Sequence, residues 1–270
     1  MLQAAHNPDL LPIPEYVMND TVRNWTSEEE SVYFFKFANG DYDPLVLHDS
    51  VELRERELQK KTGFDEWLVQ NDKEIPASFR ENSDDMRFLH ATKGDFVATY
   101  DEMVKQEKYY DDHVVEMFSK HAEFEELLNR GLIYGLGRDE YMRPNIVMNV
   151  RRILDAGLDM SRFIDLYEYL MHYTMIHAMV RGKIETVNFI IDCKGVSVYE
   201  FPITELSGMG KRVSSAFKVV VHNVIITDLN WLLKAGVNVI STFVPDRVMA
   251  KISYHSNNGA SHTNKFIAAD

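Results

Sequence analysis

An α/β fold with a mostly parallel sheet and crossover helices, preceded by a small helical region, is the class this sequence predicts. Three observations predict it. Apolar, β-rich runs recur at Asn145 to Val150, Val187 to Ile191 and Phe217 to Ile226. Between the first two lies Met160 to His177, with Phe163, Leu166, Tyr167, Leu170 and Tyr173 at helical spacing. Charged turns flank the strands: Gly137-Arg138-Asp139-Glu140-Tyr141-Met142-Arg143-Pro144 before the first, and Asp192-Cys193-Lys194-Gly195-Val196-Ser197 after the second. Strand, helix, strand is a crossover, and crossovers join parallel neighbours.

Taken in order, residues 1–50 form an irregular extension punctuated by Pro8, Pro12, Pro14 and Pro44. It carries an aromatic cluster at Tyr33, Phe34, Phe35 and Phe37 of the kind that seeks a partner. Residues 51–121 read as a helical region. Val51 to Lys61 is a charged amphipathic helix that Gly63 ends, Asp84 to Leu89 opens a second, and Asp95 after Gly94 is the N-cap of a third. Residues 122–256 alternate strands with helices. Within them a last helical stretch, Asp228 to Ala235, leads through an apolar segment to Pro245 to Ile252. Residues 257–270 are a polar tail, and there is no internal repeat or heptad seam.

Composition narrows the function. A chain of 270 residues can bury a full core, and a formal net charge of −13 argues against nucleic acid, whose phosphates call for clustered Lys and Arg. The single cysteine, Cys193, removes intramolecular disulfides and Cys-rich zinc sites, fits a reducing compartment, and reads as buried rather than nucleophilic. No apolar run approaches the roughly 18 residues of a membrane span. Met1 to Glu15 resembles neither a signal nor a transit peptide, and Asn24-Trp25-Thr26 reads as a chance sequon. His172 and His177 are five apart, off the spacing that sets two metal ligands on one helix face. Gly135-x-Gly137 lacks a third glycine, which leaves a weak dinucleotide signal. No Ser, His and acid arrangement stands out, so catalysis, metal and cofactor are not expected.

Four segments in this order resemble the CRAL-TRIO family of lipid-binding and lipid-transfer proteins. Met86-Arg87-Phe88-Leu89-His90-Ala91-Thr92-Lys93-Gly94-Asp95 is similar to the family's helical L-R-F-L-R-A-R-K-F-D motif, and Asp139 to Asn145 to its D-x-x-G-R-P-V turn. Ile191 to Ser197 is similar to its D-L-K-G-V-S strand end, and Pro245 to Ile252 to its D-P-x-T-V-A-K-I stretch. The resemblance spans about Val51 to Tyr254. Met142 stands where the turn usually has Gly, and His90 where a second Arg is usual. Only Val198 to Ala216 fills the place of a longer helix ending in Tyr-Pro-Glu, and little chain follows Tyr254, which together imply a reduced or open pocket.

The resemblance implies site residues. Glu168 and Lys194 match a headgroup-binding pair in the phosphatidylinositol branch: a carboxylate accepts from sugar hydroxyls and an ammonium offsets phosphate. Their alternative is an ordinary ion pair. Arg87 either contacts phosphate or, as the sequence favours, snorkels or pairs with Asp84. Trp231, Leu232, Leu233 and Val237 match the gate helix that admits lipid, or else are core.

Two functions follow. The first is a non-enzymatic lipid carrier that shelters a phospholipid or other apolar ligand between sheet floor and gate, with peripheral membrane contact and a cytoplasmic or membrane-peripheral place. The second is a divergent member of the fold serving as a structural or accessory subunit of a large protein complex, with the mitochondrion as the alternative compartment, held to its protein partners by residues 1–50 and the tail.

Overall fold

The computed structural model describes residues 34–36, 42–44, 55–82, 85–139, 141–197, 200, 216–228 and 246–255. Strands β1 (Phe34–Lys36) and β2 (Tyr42–Pro44) pair antiparallel. The helical region comprises α1 (Glu55–Gln70), α2 (Ala77–Asn82), α3 (Asp85–Ala91) and α4 (Phe96–Tyr109). A π-helical turn (Tyr110–Val114) leads into α5 (Val115–Ser119) and α6 (His121–Asn129). The α/β part follows as β3 (Ile133–Arg138), β4 (Pro144–Asn149), α7 (Val150–Asp155), α8 (Met160–His177), β5 (Val187–Asp192), β6 (Val221–Thr227), α9 (Asp246–Met249) and β7 (Ile252–His255).

The main sheet has the order β3-β4-β5-β6-β7, with β3 antiparallel to β4 and every other pair parallel. The α/β class with a mostly parallel sheet is therefore the observed one. Alternation along the strands divides the sheet into two faces. Ile146, Met148 and Phe189 face one way, into a core built with Phe163, Leu166, Tyr167 and Leu170 of α8 and with Phe124, Leu127 and Leu128 of α6. Val147, Ile190 and Ile225, which pair with one another across the register, form a smaller apolar cluster on the other face. Helix α8 spans the residues its periodicity predicts, capped by the Asp159 side chain on the Ser161 amide.

Two expectations are corrected. Helix α1 does not end at Gly63 but runs on to Gln70, because Phe64 and Leu68 continue its buried stripe. Gly63 lies against the Phe96 ring, where a Cβ would come within 3.0 Å of Cζ, so close packing and not termination is its use. The third strand begins at Val221 and not at Phe217, because Val219 sits at a φ of 53°, outside the extended region. Gly135-x-Gly137 is no phosphate loop: it lies in β3, where the pairing with β4 shifts register between Gly135 and Arg138 and Gly137 takes a φ of 56°. Asp95 caps α4 as predicted, accepting from the Ala98 amide at 3.0 Å. Among the described residues no helix is long and apolar enough to cross a membrane.

The turn between β3 and β4 is held from inside by Asp139. One carboxylate oxygen accepts from the Tyr141 and Arg143 amides at 3.0 and 2.8 Å, and the other from Arg143 Nη1 at 3.2 Å and Asn188 Nδ2 at 3.0 Å. All of Asp139, Arg143 and Asn188 are buried. This network holds Met142 at a φ of 64°, so the chain keeps the left-handed turn that a glycine would favour. Met142→Gly should accordingly stabilise the fold by about 1 kcal/mol, read as a higher denaturant midpoint at unchanged slope. A lower midpoint would show that the Met142 side chain contributes more than the turn costs.

Candidate functional site

Two cores, one in the helical region and one around the sheet, meet at Arg87. The first is built from Phe64, Leu68, Phe79, Met86, Phe88, Leu89 and Met103, with Val219 packed against it from the sheet side. Arg87 projects from α3 within that layer. Its Nη1 donates to the Val219 carbonyl at 3.0 Å, and its Nη2 donates to the Glu185 carbonyl and to Glu185 Oε2, each at 3.0 Å. Glu185 Oε1 accepts from the Gly182 amide at 2.7 Å. Both charged side chains are buried, where an unpaired charge is costly, so the planar guanidinium and its carboxylate satisfy each other. The left-handed φ of Val219, rare for a β-branched residue, belongs to the same arrangement whose carbonyl meets Arg87. Arg87→Ala should cost about 3 kcal/mol by leaving Glu185 buried and uncompensated. The double change with Glu185→Gln should recover part of that loss in chemical denaturation, and equal midpoints for single and double variants would contradict it.

Beside this clamp lies a cavity of about 650 Å³, bounded by α2, α3, α4, the C-terminal part of α8 and the approach to β6. Phe79, Phe88, Met175, Met179, Phe217 and Val220 supply apolar wall, and Ile176 and Tyr110 stand at exposed positions along it. Arg87, Glu185, Arg181 and Lys218 bring charge to it, with Lys218 paired to Glu102 at 3.2 Å. That pairing helps hold the Glu102 carboxyl below its ordinary pKa, against the opposing effect of burial.

His172 reaches this wall from α8 within a ring of aromatic side chains. Phe217 is at 4.9 Å between centroids, Tyr110 meets it edge-on at 6.2 Å, and Tyr109 stacks at 6.5 Å. Tyr109 ends α4 and Tyr110 opens the π-helical turn, so the wider winding aims two consecutive tyrosines at one imidazole. Burial pushes His172 down to a pKa of about 4, and its Nε2 has no hydrogen-bond partner among the described residues. His222 is lowered as well, by burial first and then by Arg143 and Lys251.

Both histidines titrate lower in the folded protein than in the unfolded chain, so the unfolded chain binds more protons as pH falls. Stability should be full above pH 6.5 and decline as pH drops toward 4, with His172 alone accounting for about 3 kcal/mol at the lower end. His172→Phe should flatten the slope between pH 6.5 and 4 in denaturation curves. An unchanged slope would assign the acid sensitivity to other groups.

Of the residues the sequence assigns to a headgroup, only Arg87 lines the cavity. It pairs with Glu185, whereas Asp84 lies outside the described residues. Glu168 is buried in α8, its Oε2 accepting from the Tyr109 hydroxyl at 2.7 Å. Lys194 is exposed in the turn after β5, its amide donating to Asp192 Oδ1 at 2.9 Å. The structure does not bring this pair together. Lys194 is exposed beyond the strand end where Asn149 pairs with Asp192, whereas Glu168 is buried in the middle of α8 and bonded to Tyr109. Trp231, Leu232, Leu233 and Val237 lie outside the described residues, as do the polar tail and most of residues 1–50.

His172 was legible only as a failed metal ligand. The overlooked signal is that Glu168 and His172 are four apart and share one helix face. That face meets Tyr109, which bonds one and stacks on the other. Cys193 is buried as expected, and its thiol is pushed up to about 12 by burial and then by Asp192 and Asp228.

Comparison with known proteins bears on this arrangement. A family model described as the CRAL/TRIO domain matches residues 128–270. Among solved structures, the fold is similar to the crystal structure of Sfh5, with a TM-score of 0.59 and 10% identity over 77% of this chain and 83% of that one. A comparison with curated proteins gives no match.

Proposed function

The chain belongs to the CRAL/TRIO family, a lipid-binding family, and on that premise we propose that it is a non-enzymatic lipid-binding protein that shelters an apolar ligand. The observation that carries this reading is the cavity of about 650 Å³ at the Arg87 clamp, whose wall mixes apolar side chains with charged and polar ones, within the range of about 300–1,000 Å³ usual for small-molecule sites. A lipid entering it exchanges apolar contact with a bilayer for apolar contact with Phe79, Phe88, Met179 and Phe217, so the transfer is nearly balanced and reversible. Tyr110 and Ile176, both exposed and both on the cavity wall, suit the passage of an apolar ligand between bilayer and protein. The reading rests on this cavity and not on Glu168 or Lys194, neither of which lines it.

The accessory-subunit reading draws on a different observation. Val97 and Val104 of α4 are 56% and 43% exposed and seven residues apart, so they mark one uncovered helix face. A protein partner would bury that face.

Organic extraction of the purified, intact protein followed by mass spectrometry should recover lipid in stoichiometric amount. Ala216→Trp, which projects bulk into the cavity, should lower the recovered lipid several-fold while the circular dichroism spectrum is kept. Protein that carries no lipid and takes none from vesicles, but co-purifies with partners that Val97→Asp releases, would favour the subunit.

A further inference from the structure

The polar groups on the cavity wall differ in what they have left to offer an occupant. Arg87 is engaged by two carbonyls and by the Glu185 carboxylate, all at 3.0 Å. Lys218 is paired with Glu102 at 3.2 Å, and Arg181, at an exposed position, has a partner of its own. Arg87 and Lys218 are thus already matched by the protein's own anions and carbonyls. Glu185 brings a carboxylate to the same wall.

The uncharged groups stand differently. His172 is 7% exposed and lines the cavity; its Nε2 is closed off without a hydrogen-bond partner among the described residues, and its Nδ1 makes no hydrogen bond among them either, which leaves Nδ1 as the nitrogen an occupant can reach. A neutral imidazole carries one donor and one acceptor nitrogen. Gln106, on the same wall, uses its amide nitrogen on the Ala216 carbonyl at 3.2 Å, which leaves its carbonyl oxygen as an acceptor. A hydroxyl both donates and accepts, so it suits either tautomer of the imidazole as well as the Gln106 oxygen. A phosphate or carboxylate only accepts. Its charge would be taken from water and placed beside Glu185, and the guanidinium of Arg87 could meet it only by breaking a buried pair.

Resting on the lipid-binding reading above, we propose that the cavity selects a lipid with an uncharged, hydroxyl-bearing head, of the monoacylglycerol or long-chain-alcohol class, over one with an anionic head, and that His172 is the residue that recognises the hydroxyl. The aromatic side chains around the imidazole, Tyr109, Tyr110 and Phe217, hold it in place and keep water from competing for it.

Two probes with the same chain separate the head from the tail: 1-monooleoylglycerol, and its phosphate ester, oleoyl lysophosphatidic acid. Calorimetric titration of the full chain, below the micellar concentration of each, should show monooleoylglycerol binding at least about tenfold tighter. His172→Phe should lower that affinity about tenfold while leaving methyl oleate, which has no hydroxyl, unchanged. Equal or tighter binding of the phosphate form overturns the selectivity and leaves the lipid-binding reading standing. Binding of neither probe, nor of methyl oleate, overturns both. The comparison of heads on the unaltered protein stands even where the His172 variant fails to fold.

Discussion

The buried pair between Arg87 and Glu185 is the constraint on which the rest depends. The helical layer and the sheet each have their own apolar cluster, and neither cluster alone fixes how the two meet. Apolar packing is tolerant of sliding, because it is roughly proportional to area and not directional. A planar guanidinium that must satisfy a carboxylate and two carbonyls without water is not tolerant. It sets where α3 sits over the start of β5 and the approach to β6. The left-handed backbone at Val219 lies within that arrangement.

The cavity follows from that geometry. Its wall draws on α2, α3 and α4 from one layer and on α8, Glu185 and Phe217 from the other, so it exists only while the layers are held in register. The same clamp gives the cavity its electrostatic character. The charges of Arg87 and Lys218 are already compensated, and the neutral His172 and Gln106 keep hydrogen-bonding capacity beside them. The position of an ion pair thereby bears on which headgroups the apolar space can take.

A second polar cluster does comparable work at the start of the sheet. Asp139 closes the β3–β4 turn and reaches Asn188 on β5, tying a local turn to a parallel pairing made by residues far apart in the chain. Because its partners hold the backbone, the turn accepts a methionine at a position that favours glycine. Local preference yields there to a buried network.

Much of the fold was legible in the chain. Helix α8 shows its period over five turns, β4 and β5 are short apolar runs beside turn residues, and Asp95 is a capping residue before an apolar stripe; each of these signals is local. Gly63 and the start of β6 were misread for the same reason. The close approach of Phe96 and the backbone turn at Val219 are made by partners remote in sequence. The sequence by itself determined the class of fold, the elements and their order, because hydrophobic period and turn chemistry act over a few residues. Only the tertiary structure decided that Arg87 meets Glu185, that Glu168 and Lys194 stand apart, and that His172 lines a cavity. Burial and charge pairing depend on which distant side chains arrive at the same place.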